Sequence, residues 1–247
     1  MKKELIFALG LFATFTAALA GGGHASHGEI VSPTGQSKLA AYDIVRTQVA
    51  SNGTHLVFKM QTSSKAGVTL PTRTGQLAGS QVYSYVWPTS LDSSTVGFDQ
   101  GQGILALAAT VHPDFDDTPL YDENGDGNLT NDGNLWHAHW VVLVQDGACG
   151  KGALKVRDIP AGTTPKLPAT WPNLPVLIDS PGYTLDMTAN TVQISVPLKE
   201  LGFQKTFRFD GVTAALRVNA DLHSPLLCVV DVFKVASGDL SLPGTVR

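Results

Sequence analysis

The sequence predicts an all-β domain: an antiparallel β-sandwich with long loops and a calcium-binding hairpin connection. Three observations predict it. Short apolar runs recur along the chain, some alternating and some continuously apolar, as half-buried and central strands do. Turn-forming residues separate them, with 25 Gly and 14 Pro among 247 residues. No segment sustains a helical period, and no internal repeat is present. A hydrophobic share of 43% is enough for one sizeable core.

Residues 1–20 read as a secretory signal peptide. Lys2 and Lys3 open it, residues 5–15 are apolar, and Ala18-Leu19-Ala20 supplies a small-residue cleavage site. The apolar stretch is short for a membrane span, and no later segment is long enough for one. The mature chain is expected to be exported, whether to the periplasm, the cell surface or the medium. Residues 21–37, rich in Gly and Ser, are expected to form a flexible mature N-terminus carrying His24 and His27.

Residues 38–247 then form a single domain. Strands are expected over 40–49 and 55–61, joined by a turn at Ser51-Asn52-Gly53. Leu56, Phe58 and Met60 share one face of the second. Further strands are expected over 81–87, 103–112, 135–144, 153–159, 191–196, 207–209, 212–218 and 226–235. Residues 103–112 and 135–144 are apolar on both faces, as central strands are. Loops fill 66–79 and 90–103, the latter with Phe98 as an anchor. Residues 160–175 read as an extended surface connection, and 198–201 as a helical turn stopped by Gly202.

In an exported chain the isolated pair Cys149 and Cys228 is expected to form a disulfide. A net charge of −4 with 15% charged residues leaves no basic stripe for nucleic acid. Metal ions are the expected partners.

The chemistry gathers in residues 103–143. Asp122-Glu123-Asn124-Gly125-Asp126-Gly127-Asn128 fits the pattern of a calcium loop, with side-chain oxygens at alternating positions and Gly127 for the sharp turn. Asp122, Asn124, Asp126 and Asn128 are the expected calcium ligands. A helix-loop-helix site has Glu at position twelve, where this chain has Gly133, so Asp132 is expected to close the shell. One of Asp114, Asp116 and Asp117 can join it, and Leu129 is expected to pack inward.

The apolar runs on either side carry histidines. Residues two apart on a strand share a face, so His137 and His139 project together. His112 ends the run expected to pair with theirs, and cross-strand neighbours have Cβ atoms about 4.5–5.5 Å apart. Three imidazoles on one ion suit copper, zinc or iron. Trp136 and Trp140 flank the pair. The competing reading makes the histidines polar caps bonded to loop carboxylates such as Asp116 or Asp117.

Three runs, Tyr85-Val86-Trp87-Pro88-Thr89-Ser90, His112-Pro113-Asp114-Phe115-Asp116-Asp117 and Trp136-His137-Ala138-His139-Trp140, together with the acidic loop, resemble the MopE/CorA group, the secreted, surface-associated copper-binding proteins of methane-oxidising bacteria. The resemblance implies a β-rich exported protein that binds one copper ion, here through His112, His137 and His139. In that group a tryptophan oxidised to kynurenine assists copper binding, and calcium can be bound. The Trp-x-His of one member is absent here, since Trp136 directly precedes His137.

The expected function is therefore metal acquisition or sequestration without catalysis. No nucleophile elbow, P-loop or dinucleotide fingerprint appears. A second reading is a calcium-stabilised module that stacks sugar on Trp87, Trp136 or Trp140, or binds haem through Met60 with His55 or His223. A third places a metal-dependent oxidoreductase on the same histidines.

Overall fold

The computed structural model describes residues 25–26, 28–117, 122, 126–221 and 225–246. The expected signal peptide, His24, His27, Asn124 and His223 lie outside the described residues. The described strands are β1 (Ala25–Ser26), β2 (Glu29–Val31), β3 (Ile44–Ser51), β4 (His55–Thr62), β5 (Gln81–Pro88), β6 (Ile104–Val111), β7 (His137–Gln145) and β8 (Leu154–Val156). They continue with β9 (Ile178–Asp179), β10 (Leu185–Thr188), β11 (Thr191–Pro197), β12 (Phe207–Phe209), β13 (Val212–Val218), β14 (Leu227–Val235) and β15 (Gly244–Val246). The helical segments among them are single 3-10 turns, including Leu198–Leu201, which ends on Gly202 in the left-handed region as its sequence predicts.

Every pairing between the described strands is antiparallel. One sheet has six strands in the order β1-β2-β3-β4-β11-β10. It begins inside the stretch expected to be flexible: β2 pairs with β3, and Ile30 is fully buried. One apolar anchor is enough to dock so short a strand, and a Gly/Ser-rich setting hides it.

The second layer is more than a sheet. Its strands follow the order β6-β5-β13-β14-β8-β7-β9, and β6 also pairs with β7. The ring β6-β5-β13-β14-β8-β7 is therefore closed into a barrel, with β9 beside β7. The expected sandwich is present as a sheet packed on the flank of this barrel. Outward residues Tyr85, Trp87, Leu107 and Trp140 meet Phe58, Met60 and Ile194 of the six-stranded sheet in one core. Inward residues Val86, Ala108, Val141 and Leu216 belong to a second core. Burial on both faces explains why β5, β6 and β7 read as nearly continuous apolar runs.

The thinnest joint of the ring is β14 to β8, paired only at Cys228 with Lys155. The Cys149–Cys228 disulfide lies at this joint, with a Cα–Cα distance of 5.4 Å. Across the molecule Lys234 of β14 meets Asp43 Oδ1 at 2.9 Å, with both side chains buried. Lys234 also donates to the Pro33 carbonyl. The pair ties the barrel to the segment that leads into β3.

Candidate metal centre

The β6–β7 register builds the centre. Thr110 stands opposite His137 and Ala108 opposite His139. The two-residue period of β7 turns both histidines toward the barrel interior, while Ala138 and Trp140 join the opposite core. His112 follows β6 by one residue and keeps the inward parity of Thr110. Its backbone N–H donates to the Gly133 carbonyl at 2.9 Å, and the turn that follows returns Phe115 N–H to the His112 carbonyl at 3.3 Å. That turn sends Asp117 back over the histidines.

Three imidazoles and one carboxylate converge there. His112, His137, His139 and Asp117 are all buried, and their ligand atoms lie within 4.8 Å of one another. His112 Nε2 is 2.9 Å from His137 Nε2. Asp117 Oδ1 is 2.9 Å from His112 Nε2 and 3.3 Å from His137 Nε2, and Asp117 Oδ2 is 3.6 Å from His139 Nε2. Ligands at about 2.0–2.1 Å from a tetrahedral ion stand about 3.3 Å apart, so the spacing fits one ion.

The hydrogen bonds on the far side of each ring decide its tautomer. Carbonyl oxygens only accept, so His112 Nδ1–H donates to Phe115 at 2.7 Å and His137 Nδ1–H to Leu135 at 2.9 Å. His139 Nδ1 lies 3.3 Å from the Asp179 carbonyl and 3.1 Å from Ser180 Oγ. All three Nε2 atoms thereby face one another and the Asp117 carboxylate. His139 Nε2 and Asp117 Oδ1 are buried with no directed hydrogen-bond partner. Outer partners that fix ring orientation in this way are those a metal-binding histidine uses.

Charge points the same way. Burial pushes His139 down to about 3, against the pull of Asp117 and with help from His137 and His112. Burial alone would raise the Asp117 carboxyl, yet His112 and His139 hold it well below the usual carboxylate range. At neutral pH a neutral His139 therefore sits beside a charged Asp117, a buried set that a cation completes.

No family model, curated protein or solved structure matches the chain. The geometry therefore carries the functional argument.

Each of the three neighbouring aspartates has a different task. Asp114 accepts from Thr74 and Gly75 N–H at 2.9 Å, tying in the loop before β5. Asp116 accepts from Asp132 N–H at 2.7 Å. Asp117 turns to the histidines. The expectation that loop carboxylates meet these rings thus holds for Asp117, which the sequence offers as a polar partner or a calcium-shell candidate but not as a ligand beside the histidines. Its only signal is the count of acidic residues after His112.

Among the described residues of the expected calcium loop, Gly127 takes φ +84°, the left-handed turn its position predicts. The Asp122 carboxylate accepts from Asp126 N–H at 3.1 Å and Gly127 N–H at 2.7 Å. Asp126 accepts from Asn128 N–H at 2.8 Å. Asp132 is buried at the loop's base, whereas Asp126 and Asn128 are exposed. Leu129 is 43% exposed rather than packed inward, because no flanking helix receives it. Gly133 has a reason to be glycine: a Cβ there would lie 1.8 Å from the Phe115 carbonyl oxygen and 2.7 Å from that of His112.

Two expectations about aromatic and sulfur side chains are corrected. Trp87 and Trp140 are fully buried between the layers, so neither offers a face to sugar. Trp136 packs on the outer core and donates its indole N–H to the Gly67 carbonyl at 3.1 Å, on the side of β7 away from the imidazoles. The aromatic at the centre is Phe115, stacked on His112 at 4.2 Å between centroids. Met60 is buried in the outer core and His55 begins β4 at the hairpin turn, so the two do not meet as a haem pair.

Proposed function

We propose that the protein binds one copper ion through His112, His137 and His139 with Asp117 beside them, and serves metal acquisition or sequestration outside the cytoplasm. One observation carries this reading: three Nδ1 atoms face protein oxygens, and three Nε2 atoms meet at a buried carboxylate. Imidazole-rich sites suit copper, zinc, iron and nickel, and Cu²⁺ stands highest among divalent first-row ions for a given site. The resemblance to the MopE/CorA copper proteins supports the same choice. The disulfide is compatible with export. Among the described residues no helix is long and apolar enough to cross a membrane. Calcium in the Asp122–Asp132 loop, with Asn124 among its ligands, is proposed as a structural ion that offsets carboxylate repulsion at the hairpin tip.

The test is elemental analysis by mass spectrometry of protein purified without added metal, beside His137→Ala/His139→Ala. The reading expects near-stoichiometric copper that disappears in the double variant while calcium stays. Electron paramagnetic resonance of the oxidised protein would then show nitrogen coupling. Protein that takes up no copper on titration overturns the proposal.

A further inference from the structure

The barrel interior is not filled. A cavity of about 430 Å³ runs along the inner faces of β5, β6, β7, β13 and β14. That is within the ~300–1,000 Å³ range of small-molecule sites. A barrel of about eight strands is just wide enough for side chains to fill, so a cavity inside six strands needs a cause. The register supplies it. Ser84 lies between Thr110 and Ala214, and Ala108 lies opposite His139, so the inward positions beside the imidazoles are small.

The two ends of the cavity differ. At one end stand His112, His139, Asp117 and Thr110. Thr110 Oγ1 is buried with no hydrogen-bond partner, whereas the nearby Ser84 hydroxyl already donates to the Ala214 carbonyl at 3.0 Å. Beyond them the wall is mainly Val and Leu, and no Lys or Arg among the described lining residues can pair with an anion. Two lining residues reach the surface, Val232 of β14 at 50% exposure and Leu77 before β5 at 47%, and β14 pairs with β8 only at Cys228.

We propose that the barrel binds a small, neutral, elongated apolar molecule with one oxygen at its end, that oxygen meeting Thr110 and the tail lying along the Val and Leu wall. The inference goes beyond the metal reading. A metal held by the histidines adds a second partner for the same oxygen, but Thr110 serves it without one.

The experiment is titration of 1-octanol into metal-stripped and copper-treated protein, followed by calorimetry and by methyl NMR. The expected result is one octanol per chain in both samples, with contacts from its tail to Leu216 and Val141. Thr110→Val keeps the volume and removes the hydroxyl, so it should weaken binding about tenfold, the loss of one hydrogen bond. Ala108→Leu/Ala214→Leu should abolish binding by filling the space. Absence of saturable binding in both samples overturns the proposal, as does an unchanged affinity in Thr110→Val. So does undiminished binding in a folded cavity-filling variant. Metal content measured on the same samples reports separately on the copper reading: octanol bound by a chain that takes no copper leaves this inference standing and removes the other.

Discussion

His112 Nε2 and His137 Nε2 face each other at 2.9 Å, and the other nitrogen of each ring is turned to a backbone carbonyl. At that distance the two nitrogens need a proton or a metal cation between them. The arrangement is maintained by the backbone: one carbonyl is that of Phe115, which closes the turn leading to Asp117, and the other that of Leu135, two residues before β7 begins.

Removing the carboxylate while keeping its shape tests the electrostatic half of the site. Asp117→Asn should fold normally and bind copper about 10–100-fold more weakly, the usual cost of losing a partner at a metal ligand. Competition against a chelator, with circular dichroism to verify the fold, reads the effect. An unchanged affinity would mean that Asp117 contributes nothing to the ion.

Two glycines in one hairpin should behave differently. Gly133→Ala forces a Cβ onto the Phe115 and His112 carbonyls, so copper uptake should be lost together with about 1–3 kcal/mol of stability. Gly127→Ala meets no atom within 4 Å but keeps φ at +84°, so it should cost about 1 kcal/mol and leave copper bound. Thermal unfolding and metal analysis on both variants check the contrast. Equal copper retention would contradict the packing argument.

Acid should expose the Asp43–Lys234 pair. Burial alone would raise the Asp43 carboxyl, but the Lys234 ammonium, with Gly35 N–H and Ser63, holds it below its ordinary value of 3.8. A lowered carboxylate contributes stability that is present above 3.8 and lost as pH falls through the folded-state value. Lys234→Met strands the charge and should cost about 3–5 kcal/mol at neutral pH. The gap to the wild type should narrow as pH falls, beginning above 3.8, because burial raises the unpaired Asp43 carboxyl in the variant and it takes up its proton sooner. Melting temperatures of both proteins from neutral to acid give the answer, and a gap independent of pH would refute the assignment.

The disulfide closes a sequence separation of 79 residues across the thinnest joint of the barrel. Chain entropy alone assigns such a loop about 4 kcal/mol. Cys149→Ser/Cys228→Ser should therefore lower the denaturation midpoint strongly. A loss under about 1 kcal/mol would show that the open chain is already constrained in the unfolded state.

Much of this was legible from residue patterns. The period of two placed His137 and His139 together, and the hairpin around the acidic loop brought His112 to them, because both signals are local. Asp117 was hidden because Asp114, Asp116 and Asp117 have the same chemistry, and only the turn closed on Gly133 decides which one faces inward. Closure of the barrel was hidden for another reason. It depends on β5 pairing with β13, Ser84 with Ala214, a contact between residues far apart in sequence with no local mark. The short strands β2, β9 and β15 carry too few residues to show a period.

Asp116 and Asp117 are consecutive in the chain, yet one holds the base of the acidic loop through Asp132 and the other holds the histidines. A single peptide unit thus joins the two proposed ion sites. Thermodynamic linkage makes such a joint reciprocal: whatever factor calcium contributes to the affinity for copper, copper contributes to the affinity for calcium. With positive coupling the hairpin would retain its transition metal where calcium is plentiful and release it more readily where calcium is scarce; with negative coupling the order reverses.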